Sequence, residues 1–247
     1  MAALSKGDQL WGSSPISQSI KSVSIVIPAL NEEDGIGGVI EGIPSKQLES
    51  LGFDVQIIVV DNGSTDNTAQ IARDAGADVV YQPTRGYGNA YKCGFASAKG
   101  DIIATADADQ TYPVEMIPAL VKMLEEEKLD FITTNRFANM SSGAMSKRNK
   151  IGNTILNITC RLLYGISLID SQSGMWVFRK PMLERMLLRS GQMPFSEELK
   201  IESIYYNKAL WKEIPIDYKD RVGEIKLRGW KDGFHNFIYM IKKRIVR

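Results

Sequence analysis

The chain has 247 residues, of which 44% are hydrophobic and 24% charged, and its 30 Lys/Arg against 29 Asp/Glu leave a formal net charge of +1. This composition excludes fibrous and disordered proteins, and a charge near zero provides no overall attraction to nucleic acid or to a membrane. The two cysteines are too few for a disulfide framework and favour a reducing compartment, while the single His235 leaves no histidine pair for a zinc site.

Short β-branched runs alternate with helical patterns through the first half of the chain. Residues 1–21 precede them, show no signal-peptide pattern and are interpreted as a flexible N-terminal tail. The predicted strands are 23–27, 55–60, 79–81 and 101–106, and the predicted helices begin near 32, near 65 and at 87. The alternation predicts an α/β fold with a mostly parallel, doubly wound sheet and helices on both faces. Ligands of such a sheet bind at the carboxyl ends of its strands.

The second half of the chain is richer in helical patterns. Helices are predicted over 113–127, 147–165, 180–190 and 196–210, and strands over 131–134, 176–178 and 214–218. No internal repeat or long linker divides the sequence, so one domain is expected from 22 to 228. The most apolar stretch, 151–169, contains polar residues and is short for a bilayer span, which favours a helix packed on one face.

Two carboxylates follow the predicted strand 101–106. Asp107 and Asp109 are two positions apart, and in extended backbone such side chains point the same way. Two like charges at one point repel, and a divalent cation such as Mg²⁺ or Mn²⁺, which prefers oxygen ligands, would relieve the repulsion. The alternative is an acidic helix N-terminus, which requires one acid rather than two.

Seven short motifs follow one another along residues 22–228. They are PALNE, VVDNGSTDNT, GYGNAYKCGF, DADQTYPVE, TNRF, DSQSGMWVF and RVGEIKL. As a set they resemble family 2 glycosyltransferases of the dolichol-phosphate mannosyltransferase and dolichol-phosphate glucosyltransferase type. The resemblance implies a GT-A fold, a metal-dependent inverting transfer of a hexose from a nucleotide-diphosphate sugar, and a polyprenyl or dolichyl phosphate as acceptor.

The resemblance also implies a nucleotide-sugar site built from residues at the strand ends. Those residues are Pro28, Leu30, Glu32, Val60, Asp61, Asn62, Asp107 and Ala108. Relatives commonly have Asp in place of Asn62, whose amide oxygen can still accept a hydrogen bond from the base. Asp107 and Asp109 would bind the metal, Asp109 being catalytic. Thr111 stands where the mannosyltransferases have a Gln as third ligand.

Cationic residues are implied for the phosphate groups. Arg136 is the catalytic candidate, and Arg221 and Lys226 match the Arg and Lys of the family's R-x-x-G-E-S-K-L segment, with Ile225 replacing Ser. Arg148 would face the acceptor phosphate or is a solvated surface cation. Donor and acceptor are both anions, so positive charge is needed for their approach.

A phosphate acceptor requires no general base, because its second pKa is near 6 and it is largely a dianion at neutral pH. Asp170 is a candidate base if the acceptor is a hydroxyl of a glycan or small molecule; otherwise it is a loop residue that binds local backbone N–H groups. A non-catalytic nucleotide-sugar-binding protein is the alternative of another class. The motifs favour a UDP-sugar over GDP-mannose.

The C-terminal segment is basic. Residues 219–247 hold nine Lys/Arg against three Asp/Glu, a net of +6, which leaves 1 − 6 = −5 for the remainder. Within 229–247, apolar residues recur at helical spacing, which predicts a basic amphipathic helix. The helix either lies on a membrane surface or packs on the core with its cations in solvent. The first alternative predicts a peripheral enzyme at the cytoplasmic face of a membrane, with no nucleic-acid partner.

Overall fold

The computed structural model describes residues 21–140, 147–223 and 229–246. These residues form a seven-stranded sheet with the order β3-β2-β1-β4-β6-β5-β7. The strands are β1 (Lys21–Ala29), β2 (Phe53–Asp61), β3 (Asp78–Tyr81), β4 (Ile102–Thr105), β5 (Phe131–Met140), β6 (Trp176–Arg179) and β7 (Trp211–Tyr218). Every pairing is parallel except those of β6, which runs antiparallel to β4 and β5.

Helices cover both faces of the sheet. They are α1 (Ile36–Gly42), α2 (Ser45–Ser50), α3 (Thr68–Asp74), α4 (Tyr87–Ser97), α5 (Ile117–Glu126), α6 (Lys147–Tyr164), α7 (Phe195–Lys200) and α8 (Gly229–Ile245). In β1, Ile25 and Ile27 pack in the core on the side of α1, α3 and α5, whereas Val26 packs on the side of α4 and α7. The predicted mostly parallel, doubly wound α/β sheet is confirmed.

Several elements differ from the predicted ones for local reasons. The helix predicted from residue 32 is divided into α1 and α2, because Ile43 adopts an extended conformation before Pro44. The segment predicted as a helix near 180–190 forms only a 3₁₀ turn over Lys180–Arg185, and α7 continues as a π-helical turn over Ile201–Tyr206. β5 is longer than predicted because it pairs with β7 beyond a bulge.

The second half of the chain adds a third apolar cluster in which α6 and α8 pack together. Leu156, Cys160 and Tyr164 of α6 contact Met240 of α8, and the Tyr164 hydroxyl donates to the Met240 carbonyl oxygen at 2.6 Å. Lys243 is also buried, with Nζ 2.9 Å from Glu198 and 2.7 Å from Glu202. The C-terminal helix therefore packs on the body of the protein, which agrees with one of the two expected alternatives, except that Lys243 is buried while Lys242 and Arg244 are in solvent.

No helix within the described residues combines the length and the hydrophobicity required to cross a bilayer. Of the N-terminal tail predicted over 1–21, residues 1–20 lie outside the described residues, and Lys21 is the first residue of β1. The division at 22, 228 and 229 stays a prediction.

Candidate active site

Two adjoining cavities open at the carboxyl ends of the parallel strands. The carboxylate cavity, of about 440 Å³, is lined by Pro28, Leu30, Glu32, Asn62, Arg85, Tyr87, Asp107, Ala108, Asp109, Gln192 and Arg221, among others. The apolar cavity, of about 350 Å³, lies between α6 and α8 and is lined by Arg136, Arg148, Ile155, Leu156, Gln172, Phe234, Asn236 and Phe237, among others. Met193 and Asp232 line both cavities.

Asp107 and Asp109 lie after β4 and form the acidic side of the carboxylate cavity. Asp109 Oδ2 is 2.5 Å from Nη2 of Arg221, whose Nη1 lies 3.9 Å from Glu32 Oε1. Burial and the neighbouring Asp109 charge raise the pKa of Asp107 to about 7, although Arg221 and Arg136 oppose the shift. The cavity lining holds four acids, Glu32, Asp107, Asp109 and Asp232, against two cations, Arg85 and Arg221, so its acidic side chains outnumber its basic ones.

An oxygen-only donor set with excess negative charge suits a hard divalent cation. In the described ranges, no group of three His, Cys, Asp or Glu side chains is arranged to bind a metal by itself. A cation held by Asp107 and Asp109 would therefore need oxygens from water or from a bound phosphate, which is the usual mode for Mg²⁺.

Thr111, expected as a third metal ligand, contacts the carboxylate directly. Its backbone N–H and its hydroxyl both donate to Asp109 Oδ1, at 3.1 and 2.6 Å. Gln110 precedes it with a positive φ of 62°, and its side-chain amide donates to the Gly35 carbonyl oxygen at 3.1 Å. The geometry gives Thr111 a part in orienting Asp109.

The loop after β1 is fixed to the loop after β2. Asn31 has a φ of 51°, a conformation that Asn tolerates better than most residues, and its Oδ1 accepts the Thr65 N–H at 2.8 Å. The Glu32 N–H donates to Thr68 Oγ1, also at 2.8 Å. These bonds hold Pro28, Leu30 and Glu32 along the carboxylate cavity, where the sequence predicted them.

The three predicted site residues at the end of β2 lie in different places: Val60 in the core, Asp61 in a turn and Asn62 at the cavity. Val60 was expected in the nucleotide pocket, but its side chain is fully buried in the core, because alternate strand residues face opposite sides of the sheet. Asp61 accepts the Ser64 N–H at 2.9 Å and closes the turn. Asn62 lines the cavity, donates to the Gln82 and Thr84 carbonyl oxygens and accepts the Gly86 N–H.

Several residues of the carboxylate cavity were not predicted individually, among them Arg85, Tyr87, Gln192 and Met193. The segment before α4 meets the loop before α7 at Gly86, which has a φ of 143° and whose missing Cβ would lie 2.2 Å from the Gly191 carbonyl oxygen. Only glycine fits there. The GYGNAY motif was the available signal for Arg85 and Tyr87, whereas Gln192 and Met193 lie in a segment without a motif.

Arg136 and Asp170 form a buried ion pair beside the apolar cavity. Arg136 Nε and Nη2 donate to Asp170 Oδ2 and Oδ1 at 2.7 and 2.9 Å, and the Arg136 backbone N–H adds a third bond at 3.1 Å. Burial disfavours both charges, yet their attraction keeps the pKa of Asp170 below and that of Arg136 well above the ordinary value. A carboxylate held in this way is poorly suited to act as a base, and the Gln172 backbone N–H also donates to Asp170 Oδ1 at 3.1 Å, in line with the expected alternative of a loop residue that binds backbone N–H groups.

The predicted phosphate-binding cations lie in different parts of the site. Arg221 lies in the carboxylate cavity beside Asp109, and Arg148 is an exposed residue of α6 at the apolar cavity. Lys226 lies outside the described residues. Arg136 uses two of its five side-chain N–H groups on Asp170, so three are available for other acceptors.

The sequence is similar to characterised transferases. It is 35% identical over 237 residues to the low-salt glycan biosynthesis hexosyltransferase Agl6 of Haloferax volcanii, with 95% of this chain and 56% of that protein covered. It is 30% identical over 213 residues to the dolichyl-phosphate hexose transferase of the same organism, with 85% and 89% covered. The chain thus spans little more than half the length of the first relative.

The fold is similar to that of glucosyl-3-phosphoglycerate synthase from Mycobacterium tuberculosis, solved with Mn²⁺, uridine diphosphate and phosphoglyceric acid. The TM-score is 0.73 at 22% identity, with 92% of this chain and 79% of that one covered. The family model described as glycosyl transferase family 2 matches residues 24–187. That match spans β1 to β6 and both carboxylates after β4, and the chain therefore belongs to glycosyl transferase family 2 and has the GT-A fold.

Proposed function

We propose that the protein transfers a hexose from a nucleotide-diphosphate sugar to a polyprenyl phosphate, with inversion at the anomeric carbon. The observation that carries this proposal is the pair of adjoining cavities. One has carboxylates and Arg221 and suits a metal-bound diphosphate, and the other joins Arg136 to apolar walls and suits a phosphate attached to a hydrocarbon. The shared residues, Met193 and Asp232, mark the place where sugar and acceptor would meet.

The metal is proposed to be Mg²⁺ or Mn²⁺, held by Asp107 and Asp109. The excess of acidic over basic side chains in the carboxylate cavity supports it, as do the Mn²⁺ and Mg²⁺ complexes of the mycobacterial synthase. When bound, such an ion neutralises charge on the departing diphosphate. Thr111 would keep Asp109 in one orientation, and Arg221 would share the remaining diphosphate charge.

The reaction follows from the charges of its partners. A phosphate oxygen of the acceptor forms a bond to the anomeric carbon, while the bond from that carbon to the diphosphate oxygen breaks and its electron pair leaves with the nucleotide. The acceptor is already a dianion near neutral pH, so no side chain has to remove a proton. Arg136 would hold the acceptor phosphate through the N–H groups that Asp170 leaves available, and Asp170 would hold Arg136.

A UDP-sugar is the preferred donor, with GDP-mannose as the other candidate. The GYGNAY motif and the uridine diphosphate bound by the mycobacterial synthase support uridine. A thermal-shift panel of UDP- and GDP-sugars with Mn²⁺ tests the preference. Stabilisation by uridine compounds is expected, and stabilisation by guanosine compounds alone would reverse it.

The acceptor is proposed from the apolar cavity and from relatives. The relatives include the dolichyl-phosphate hexose transferase and, at 30% identity, an undecaprenyl-phosphate 4-deoxy-4-formamido-L-arabinose transferase of Enterobacter. A hydroxyl acceptor needs a base, and Asp170 is bound on both oxygens by Arg136. This geometry favours a phosphate acceptor. Because a lipid acceptor lies in a membrane and a nucleotide sugar is dissolved in water, the two substrates would meet at a membrane surface. We therefore propose a peripheral enzyme at the cytoplasmic face of a membrane.

The direct test is transfer of labelled sugar to polyprenyl phosphate, followed by extraction of the product into organic solvent. Wild-type protein with Mn²⁺ should produce labelled lipid, chelation should abolish the product, and polyprenol without phosphate should yield none. Asp109→Ala should lower transfer by about a hundredfold or more, because the site loses charge that acts on the leaving diphosphate.

The matched control is Asp78→Ala. This change also replaces an Asp by Ala, but at an exposed position of β3 away from the cavity. This variant should retain transfer. If neither wild-type protein nor the Asp78 variant transfers or hydrolyses any nucleotide sugar that it binds, the alternative of a non-catalytic binding protein is correct.

A further inference from the structure

An exposed apolar stripe runs along α6. It consists of Ile151, Ile155, Ile158 and Leu162, whose side chains are 61, 48, 53 and 80% exposed. Their spacing of four, three and four residues places them on one face of the helix. The opposite face is buried by Leu156, Cys160 and Tyr164. The stripe is thus a continuous apolar surface that the described part of the chain leaves exposed.

The helix that carries the stripe is positively charged. The sequence of α6, KRNKIGNTILNITCRLLY, includes four Lys/Arg and no Asp or Glu. At 100° per residue, Arg148 lies on one side of the stripe and Lys150 and Arg161 lie on the other. All three are exposed. An apolar stripe with one cation on one side and two on the other fits a surface that is apolar inside and anionic at its boundary.

We propose that this face of α6 docks on an anionic lipid bilayer. A second copy of the chain is a poorer occupant, because a two-fold contact would bring the stripe against itself and set its flanking cations against each other. The stripe also continues into the apolar cavity, since Ile155 belongs to both and Phe234, 67% exposed, lies at the same cavity. This last step rests on the proposed function, in which that cavity receives the lipid acceptor.

The proposal changes which helix contacts the membrane. The sequence left open whether the basic C-terminal helix lies on a membrane or packs on the core, and Met240 and Lys243 of α8 are directed into the protein. α8 instead supports α6 from behind, and docking would deliver a lipid phosphate directly to the cavity that contains Arg136.

The test is flotation of the full protein with vesicles of phosphatidylcholine and phosphatidylglycerol. Wild-type protein should bind these vesicles, bind pure phosphatidylcholine less, and lose affinity at high salt. The double variant Ile158→Glu with Leu162→Glu should bind about tenfold more weakly or worse, since two exposed apolar side chains become charged. If this variant is unstable, the double variant Ile158→Ser with Leu162→Ser replaces it in the same measurement, and it should also bind more weakly than wild type.

A matched control adds the same two charges at two exposed leucines that precede β2 and β7, at the amino ends of the strands and away from the cavities. Leu51→Glu with Leu210→Glu should bind vesicles as wild type does. Unchanged vesicle binding by the stripe variants would overturn the proposal. So would a lipid-free wild-type dimer that the stripe variants convert to monomer, because the occupant would then be a second copy.

Transfer assays separate this inference from the proposed function. With a short, water-soluble prenyl phosphate, the stripe variants should transfer sugar as wild type does, whereas with long-chain acceptor in vesicles they should be slower. If wild-type protein binds anionic vesicles through the stripe but transfers sugar to neither acceptor, the docking surface stands and the proposed function fails.

Discussion

The ion pair of Arg136 and Asp170 illustrates how one contact determines a residue's chemistry. Asp107 and Asp170 are both buried, yet their pKa values shift in opposite directions: burial and then the Asp109 charge raise that of Asp107, whereas the Arg136 guanidinium lowers that of Asp170 against the effect of burial. The first tends to hold a proton or a cation, and the second stays ionised. Asp170 is therefore a positioning residue in the proposed mechanism, and its value lies in the orientation that it gives Arg136.

Replacing Asp170 with Asn tests this role. Arg136 would lose its counter-charge in a buried place, so Asp170→Asn should destabilise the protein by about 3–5 kcal/mol and lower transfer with any acceptor. Chemical denaturation and steady-state kinetics measure the two effects, and the pH profile of kcat at pH values where the variant is folded should keep its shape. Wild-type stability combined with loss of the acidic limb of that profile, where a carboxylate base would take up its proton, would instead identify Asp170 as a base.

Asn62 shows the same dependence on partners. Its amide donates to the Gln82 and Thr84 carbonyl oxygens, which an ionised Asp could not do, so this Asn is compatible with the observed loop. The departure from the family's usual acid thus has a structural reason.

At the scale of elements, α8 is connected to α7 and the π-helical turn by a buried cluster of charges. Lys243 Nζ lies between Glu198 and Glu202 and also donates to the Leu187 carbonyl oxygen at 3.0 Å. The Tyr239 hydroxyl donates to Glu198 at 2.5 Å. These bonds anchor the helix that backs α6, so the apolar cavity depends on them.

Removing this cation should be costly. Lys243→Met leaves two buried carboxylates without their cation and should lower the free energy of unfolding by about 3–5 kcal/mol. The exposed neighbour provides the control, since Lys242→Met should change stability by less than about 0.5 kcal/mol. Urea denaturation measures both, and equal losses for the two variants would contradict the assigned role of Lys243.

At the scale of the whole molecule, stability depends on acids that folding buries. Burial raises the pKa of Asp107 from 3.8 to about 7, with Asp109 adding to the shift, and burial raises that of Glu197 from 4.5 to about 7. Between roughly pH 4 and 7 the folded protein keeps protons that the unfolded chain has released. The free energy of unfolding therefore falls as pH rises through this window and levels off above it.

Thermal unfolding in the presence of a chelator tests this dependence. The Tm should be higher near pH 5 than near pH 8, and Glu197→Gln should reduce the difference because one of the two buried protons no longer titrates. Added Mn²⁺ should raise the Tm more at the higher pH, where Asp107 is ionised. A Tm that increases steadily across the window without metal would contradict the assignment.

The sequence by itself determined the alternation of strands and helices, the position of Asp107 and Asp109 at a strand end, and the family motifs. These features depend on residues that are close in the chain, where periodicity and spacing are visible. Only the tertiary structure paired Arg136 with Asp170 across 34 residues and Glu198 with Lys243 across 45. It also turned Val60 into the core and exposed the stripe of α6. Which face of an element is covered depends on the elements that pack against it, and local sequence does not contain that information.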